Sequence, residues 1–290
     1  MKSLLKIPLL VAVATMMTCS FSACSDNDDP TPDTGTSETD AKFEAIAKQY
    51  LDHTVYVTYK NLADETEQLV KDLQALKSSK TDANVKATCE TFLEARAWWE
   101  KSEAFLYGAA TDFGIDPHID SWPLDLDGLQ TALKNTEQVE AMGGEDGDIY
   151  AGEKLGNSLL GFHGIEYILF EDGSPKSVSK ISDLHLTYAV AVAGDLRNRC
   201  WQLELSWRGE SAVNADRVAK VANELELPYT VNSGEYSYGE NMLNAGKAGS
   251  TYASWTFFII DMCFIFVTEV TDGGQNRVWS CLSQATQRGS

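Results

Sequence analysis

Positive charge is scarce in this chain: 23 Lys and Arg stand against 43 Asp and Glu in 290 residues, a formal net charge of −20. So acidic a surface repels phosphate backbones and anionic headgroups, which excludes nucleic acid as a partner and electrostatic docking on an acidic bilayer. It suits solubility and the gathering of cations near the surface. Closely paired cysteines are missing as well. After Cys19 and Cys24 the remaining four, Cys89, Cys200, Cys263 and Cys281, are far apart with no CxxC spacing, so neither a zinc ribbon nor a thioredoxin-type site is expected. In an oxidising compartment one or two pairs among them could be bridged. HExxH, GxSxG and P-loop motifs are all lacking. Gly246 and Gly249 have no strand before them, which a phosphate-binding loop needs. Finally, no apolar run is long enough to span a bilayer: residues 7–17 are too few, and residues 254–267 are short and carry Asp261 in their middle, which suits a buried core helix.

What is present begins with an export signal. Lys2 and Lys6 precede the apolar run, and Ser22 and Ala23 are small residues of the kind a lipoprotein signal peptidase accepts before a modified cysteine. Residues 1–23 are therefore expected to be a signal peptide and Cys24 the lipid anchor, Cys19 fitting less well. An ordinary secretory signal cleaved near Ala23 is the plainer alternative. Residues 24–40 contain the acidic run Asp26, Asp28 and Asp29 and no large apolar side chain, so they read as a flexible tether. The acidic run resembles the surface-export signal of Bacteroidota lipoproteins. The expected location is the outer membrane, on the cell surface or the periplasmic face.

Helical periodicity fills most of the rest, residues 41–272. Helices are expected over residues 42–77, over 81–108 with Thr81 or Asp82 as cap, and over 128–139, 152–170, 181–207, 212–225 and 240–270. Residues 112–127, broken by Gly114, Pro117 and Pro123, form an irregular connection, and residues 273–290 an unpatterned tail. No alternating run bounded by hairpin turns stands out, so sheet content should be small. The fold class is all-α, in helical bundles.

Two helices carry charge where apolar residues belong. On a wheel through residues 152–170, Leu155, Leu159, Phe162 and Leu169 share a face, with Glu166 in its middle and His163 at its edge. A buried carboxylate must be paired, protonated or metal-bound. His163 and Glu166 are three residues apart, so both can reach one cation; a His–Glu hydrogen bond or a core ion pair is the bland reading. Along residues 92–106, Phe92, Trp99 and Leu106 define the inward face, and Arg96 and Glu103 fall on it too. Those two can satisfy each other, or Arg96 can pair with Glu166, or Glu103 can be a further ligand with Arg96 orienting a carboxylate. His118 and Asp120 could approach the same region but read better as exposed loop residues, Asp120 capping a turn. His53 and His185 have no distinctive neighbourhood.

The segment Gly161–Glu166 (GFHGIE), residues 95–108 (ARAWWEKSEAFLYG), the pair Trp122-Pro123 and residues 239–252 together resemble the imelysin family and its GxHxxE motif, over residues 43–270. The resemblance implies an all-α fold of two helical bundles with the motif site between them, in an exported and often lipid-anchored protein. It implies His163 and Glu166 as metal ligands, with Arg96 and Glu103 at polar positions of the first repeat and Gly161 opening the motif. Members usually continue past the point corresponding to Glu269, so the second bundle is expected to be incomplete at the C-terminus or to close differently.

Three functions follow. The favoured one is a lipoprotein that captures a divalent or ferric ion, iron or zinc, through His163, Glu166 and Glu103 for iron acquisition, with outer-membrane uptake partners; it needs ligands and no nucleophile. A metallopeptidase of the imelysin kind would need a third ligand and a general base for metal-bound water, which HxxE does not supply. A lipoprotein binding a peptide, glycan or haem without metal would show the motif side chains satisfied by one another.

Overall fold

The computed structural model describes residues 38–268, with side chains described through residue 262. The expected signal peptide, Cys24, residues 25–37 of the tether and the tail with Cys281 lie outside the described residues.

Three long helices form the scaffold. Helix α1 (Glu38–Tyr50) passes through a π-helical turn, Leu51–Val55, into α2 (Tyr56–Ser78). A three-residue connection leads to α3 (Asp82–Ser102), and the Thr81 hydroxyl accepts from the Asn84 N–H at 3.1 Å, satisfying one of the free N–H groups of the first turn. Short helices follow: α4 (Ala109–Asp112), α5 (Ile115–Ile119), α6 (Leu126–Lys134), α7 (Thr136–Met142), α8 (Gly147–Lys154) and α9 (Gly161–Leu169). A two-stranded antiparallel hairpin, β1 (Phe170–Glu171) and β2 (Ser174–Pro175), turns the chain toward α10 (Asp183–Arg208). Ser182 and His185 cap α10 reciprocally, which gives His185 a structural role. Then come α11 (Ala215–Val218), a π-helical turn Ala219–Glu224, α12 (Tyr238–Leu243) and α13 (Trp255–Thr268).

Helix α2 lies between α3 and α10, and α9 packs on α10 and α3. The registers are those of apolar stripes. Leu62, Leu69, Leu73 and Leu76 of α2 face Val85, Cys89, Phe92 and Trp99 of α3 and Leu196, Cys200, Leu203 and Trp207 of α10, all buried. A second group joins α12 and α13 to α1 and to α10. Tyr59 links the two: its ring stacks on Trp207 at 6.1 Å and meets the edge of Phe105 at 5.5 Å. Arg217 ties α11 to the scaffold through Glu204, Asp64 and Glu67.

Several expected boundaries move. The helix foreseen over residues 152–170 is two helices, because the chain turns through Asn157–Leu159 and an extended Leu160 before α9 starts. The one foreseen over 128–139 breaks at Asn135, whose side chain accepts from the Glu137 and Gln138 N–H groups and caps α7. The last run breaks between α12 and α13. Cys89 and Cys200 are buried free thiols, not a bridged pair. Helix α13, expected as a buried core helix, buries Trp255, Phe258 and Met262 but leaves Phe257 and Ile260 exposed, so it is covered on one side among the described residues. No described helix is long and apolar enough to cross a membrane.

Truncating Leu69, enclosed between α3 and α10, is expected to cost about 2–5 kcal/mol in urea unfolding, through lost burial and the cavity left behind. Leu93→Ala, on the exposed side of α3, should stay within about 0.5 kcal/mol.

Candidate functional site

The site is built around a carboxylate. Asp120, at the end of α5, has a side chain only 5% exposed. Its Oδ2 accepts from the Trp99 indole N–H at 2.8 Å, and its Oδ1 receives both the Arg96 guanidinium and, at 3.1 Å, the Nε2 of His163. Arg96 also pairs with Glu100 at 2.6 Å, one turn along α3, and lies over the ring of Phe162, 5.2 Å from its centroid. On the other side of the imidazole, His163 Nδ1 meets Glu166 Oε2 at 3.1 Å. The indole of Trp122, itself largely exposed, sits against the His163 ring at 4.8 Å, and the Trp122–Pro123 peptide is cis.

Gly161 explains how α5 comes so near α9. Its φ is +68°, and a Cβ there would overlap the Ile119 carbonyl. Only glycine tolerates both the left-handed backbone and that contact, which places Asp120, the next residue, beside His163. From there α9 buries Phe162, Ile165 and Leu169, and His163 and Glu166 project from the other side.

The placements differ from those foreseen. Glu166 is half-exposed, 52% for its side chain, and not centred in the apolar face: the wheel assumed one unbroken helix from residue 152, whereas the helical phase restarts at Gly161. Arg96 finds its partners in Asp120 and Glu100, not in Glu103 or Glu166. Glu103 lies two helical turns beyond Arg96, roughly 10 Å along the axis, in the 3-10 turn Glu103–Phe105. Among the described residues no three His, Cys, Asp or Glu side chains converge as a metal-holding group, so the set His163, Glu166 and Glu103 is not assembled. The side chains of Asp120 and His118 are largely covered rather than exposed, His118 Nε2 meeting Asp195 at 2.8 Å. The Pro-broken segment hid this, because its inward turn depends on Gly161 forty residues later. The signal available was Arg96 itself, an inward charge that requires a buried acid from some other element.

The sequence model of the imelysin family matches residues 55–250, about two thirds of the chain. The chain belongs to the imelysin family. Iron-regulated protein A of Synechococcus elongatus is 31% identical over 163 residues, which cover 56% of this chain and 40% of that protein. A solved structure described as a putative iron-regulated protein A precursor from Parabacteroides distasonis superposes with a TM-score of 0.59 at 23% identity, over 81% of this chain and 59% of that one. The imelysin chain described here thus spans less than two thirds of either relative, and the second likeness speaks to the fold. The motif His163–Glu166 and helices α2 to α12 fall inside the matched span.

Charge is held unevenly across the imelysin site. Burial works against ionising Asp120, but the bonds from His163, Arg96 and Trp99 outweigh it and hold its carboxyl below the usual carboxylate range. Burial also works against a charged imidazole, and the bonds to Asp120 and Glu166 outweigh it, so His163 is pushed up to about 9. The ring is therefore an imidazolium at neutral pH, donating from both nitrogens.

Two outcomes follow. Gly161→Ala should cost more than about 2 kcal/mol in urea unfolding and release the Asp120–His163 contact, seen as a fall of the His163 pKa by NMR toward about 6.5. Because the folded pKa of His163 exceeds its unfolded value near 6.5, its charge contributes fully below about pH 6.5 and is lost as pH rises through 9. The unfolding free-energy gap between wild type and His163→Gln should accordingly shrink by up to about 3 kcal/mol between pH 6 and pH 9.5.

Proposed function

We propose that this imelysin chain captures a divalent or ferric ion, iron before zinc, at His163 and Glu166 as a step in iron acquisition, while a lipid on Cys24 holds it at the outer membrane near an uptake partner. One observation carries the reading. His163 Nδ1 and Glu166 Oε2 stand 3.1 Å apart on α9, the spacing of two adjacent ligands bonded at about 2.1 Å to one cation, which would have to displace the Nδ1 proton that the imidazolium shares with Glu166. Asp120 on the opposite ring nitrogen is the carboxylate that orients a ligating imidazole and raises its basicity. The Synechococcus relative is named for regulation by iron, which fits a part in iron acquisition, and the chain's net charge of −20 favours the approach of cations. Water would complete such a two-residue site, giving an open and exchangeable hold suited to delivery.

Peptidase chemistry asks for a third protein ligand and a base, and Glu103 is not in the group. A non-metal reading is favoured by one feature: both ring nitrogens of His163 are satisfied by carboxylates, as in a purely structural network. Two cavities among the described residues, one beside Tyr107 and one beside Asp148, are lined by neither His163 nor Glu166.

Calorimetric titration with ferrous, ferric and zinc ions separates these readings. Saturable binding is expected, weakened at least about tenfold by His163→Ala and by Glu166→Gln, about 10–100-fold by Asp120→Asn, and untouched by Glu103→Gln. Binding undiminished in His163→Ala, or no saturable binding in the wild type, would reject the cation site and leave the structural network.

A further inference from the structure

A cavity lies away from His163, where α12 and α13 meet the segment between α3 and α4. Partly open to solvent, it holds about 210 Å³, the liquid volume of roughly seven water molecules at about 30 Å³ each, which is less than a drug-sized ligand needs. Three phenols line it, Tyr107, Tyr238 and Tyr252, together with the carboxylates of Asp112 and Asp261. No described lining residue is basic. The aromatic wall is firmly built: Tyr238 and Tyr107 both pack on the buried Trp207, at 5.5 and 5.7 Å, and the Tyr238 ring lies so close to Gly108 that a Cβ there would stand 2.9 Å from it. The far wall is clamped by Asn241, which donates to the Thr251 hydroxyl and accepts the Thr251 N–H, both at 2.8 Å.

We infer that this cavity, walled by Tyr107, Tyr238 and Tyr252 and charged by Asp112 and Asp261, binds a small organic ammonium ion. Aromatic rings attract a cation through their quadrupoles. The two carboxylates supply the net charge. Asp112 is already held in place by the Tyr238 hydroxyl, which donates to it at 2.7 Å. A hard metal ion would want several oxygens converging on one point, and no such group exists among the described residues. A diffuse alkylammonium suits separated acids and apolar rings instead. The phenols stay neutral in this field: burial first, then Asp261 and Asp112, push Tyr252 up to about 12, and burial followed by the bond to Asp112 pushes Tyr238 up as well. The site shares no residue with the proposed iron site, so each can fail alone.

Calorimetric titration of the whole chain with tetramethylammonium chloride, beside sodium chloride at equal ionic strength and the neutral isostere tert-butanol, tests this. Saturable binding of tetramethylammonium alone is expected. Asp261→Asn and Tyr252→Leu should each weaken it about tenfold, whereas Tyr252→Phe, which keeps the ring, should change it less than about threefold. Should Tyr252→Leu fail to fold, the isosteric Asp261→Asn decides. No saturation by tetramethylammonium, equal binding of tert-butanol, or unchanged affinity in Asp261→Asn would overturn the assignment.

Discussion

The carboxylate of Asp120 is where three separate parts of the chain are obliged to meet. Removing it from water is costly, and that cost is offset only because α3 supplies a guanidinium and an indole N–H while α9 supplies an imidazole, each aimed at a defined oxygen. None of the four groups can be shifted without stranding another. The packing of α9 on α3, the direction of the segment that follows α5, and the orientation of the His163 ring are therefore parts of a single geometric solution. The contact of Gly161 with the Ile119 carbonyl is what makes the approach sterically possible.

That arrangement makes the two acids at His163 unequal. Asp120 is enclosed, fully engaged and kept ionised; Glu166 is half in water and engaged through one oxygen. An imidazole between a fixed carboxylate and a freer one has a back and a front. The enclosed acid sets the ring's orientation and charge, and the freer one faces whatever arrives from solvent. This polarity underlies the reading of His163 and Glu166 as cation donors with Asp120 behind them, and it would be lost if both acids were equally buried or equally exposed.

The ends of the scaffold are organised by a different principle. Around Trp207 the contacts are aromatic, linking Tyr59, Tyr107 and Tyr238, and they carry little charge of their own. Where α12 and α13 close over these rings, Asp112 and Asp261 are left facing a small volume. Apolar walls with acids among them form a cation-selective environment without any metal-type convergence, in contrast to the ion network at the motif.

Much of this was legible in the residues. The helical class follows from apolar spacing alone, because a 3.6-residue period commits a segment to one buried face whatever it packs against; the Thr81 cap and the stripes of α2, α3 and α10 lie where the pattern puts them. The HxxE pair was visible for the same local reason, since residues three apart on a helix are neighbours. What one-dimensional pattern could not carry was helical phase across a break and partnership across distance. The restart at Gly161 rotates Glu166 out of the apolar face, and the inward turn of Asp120, invisible in a segment broken by Gly114, Pro117 and Pro123, depends on a contact forty residues away. Sequence by itself determined which side chains were available and which neighbours they had along a helix. Only tertiary packing decided that the acid behind His163 is Asp120 and not Glu103, because a buried charge takes its partner from whichever element the fold brings within hydrogen-bonding reach.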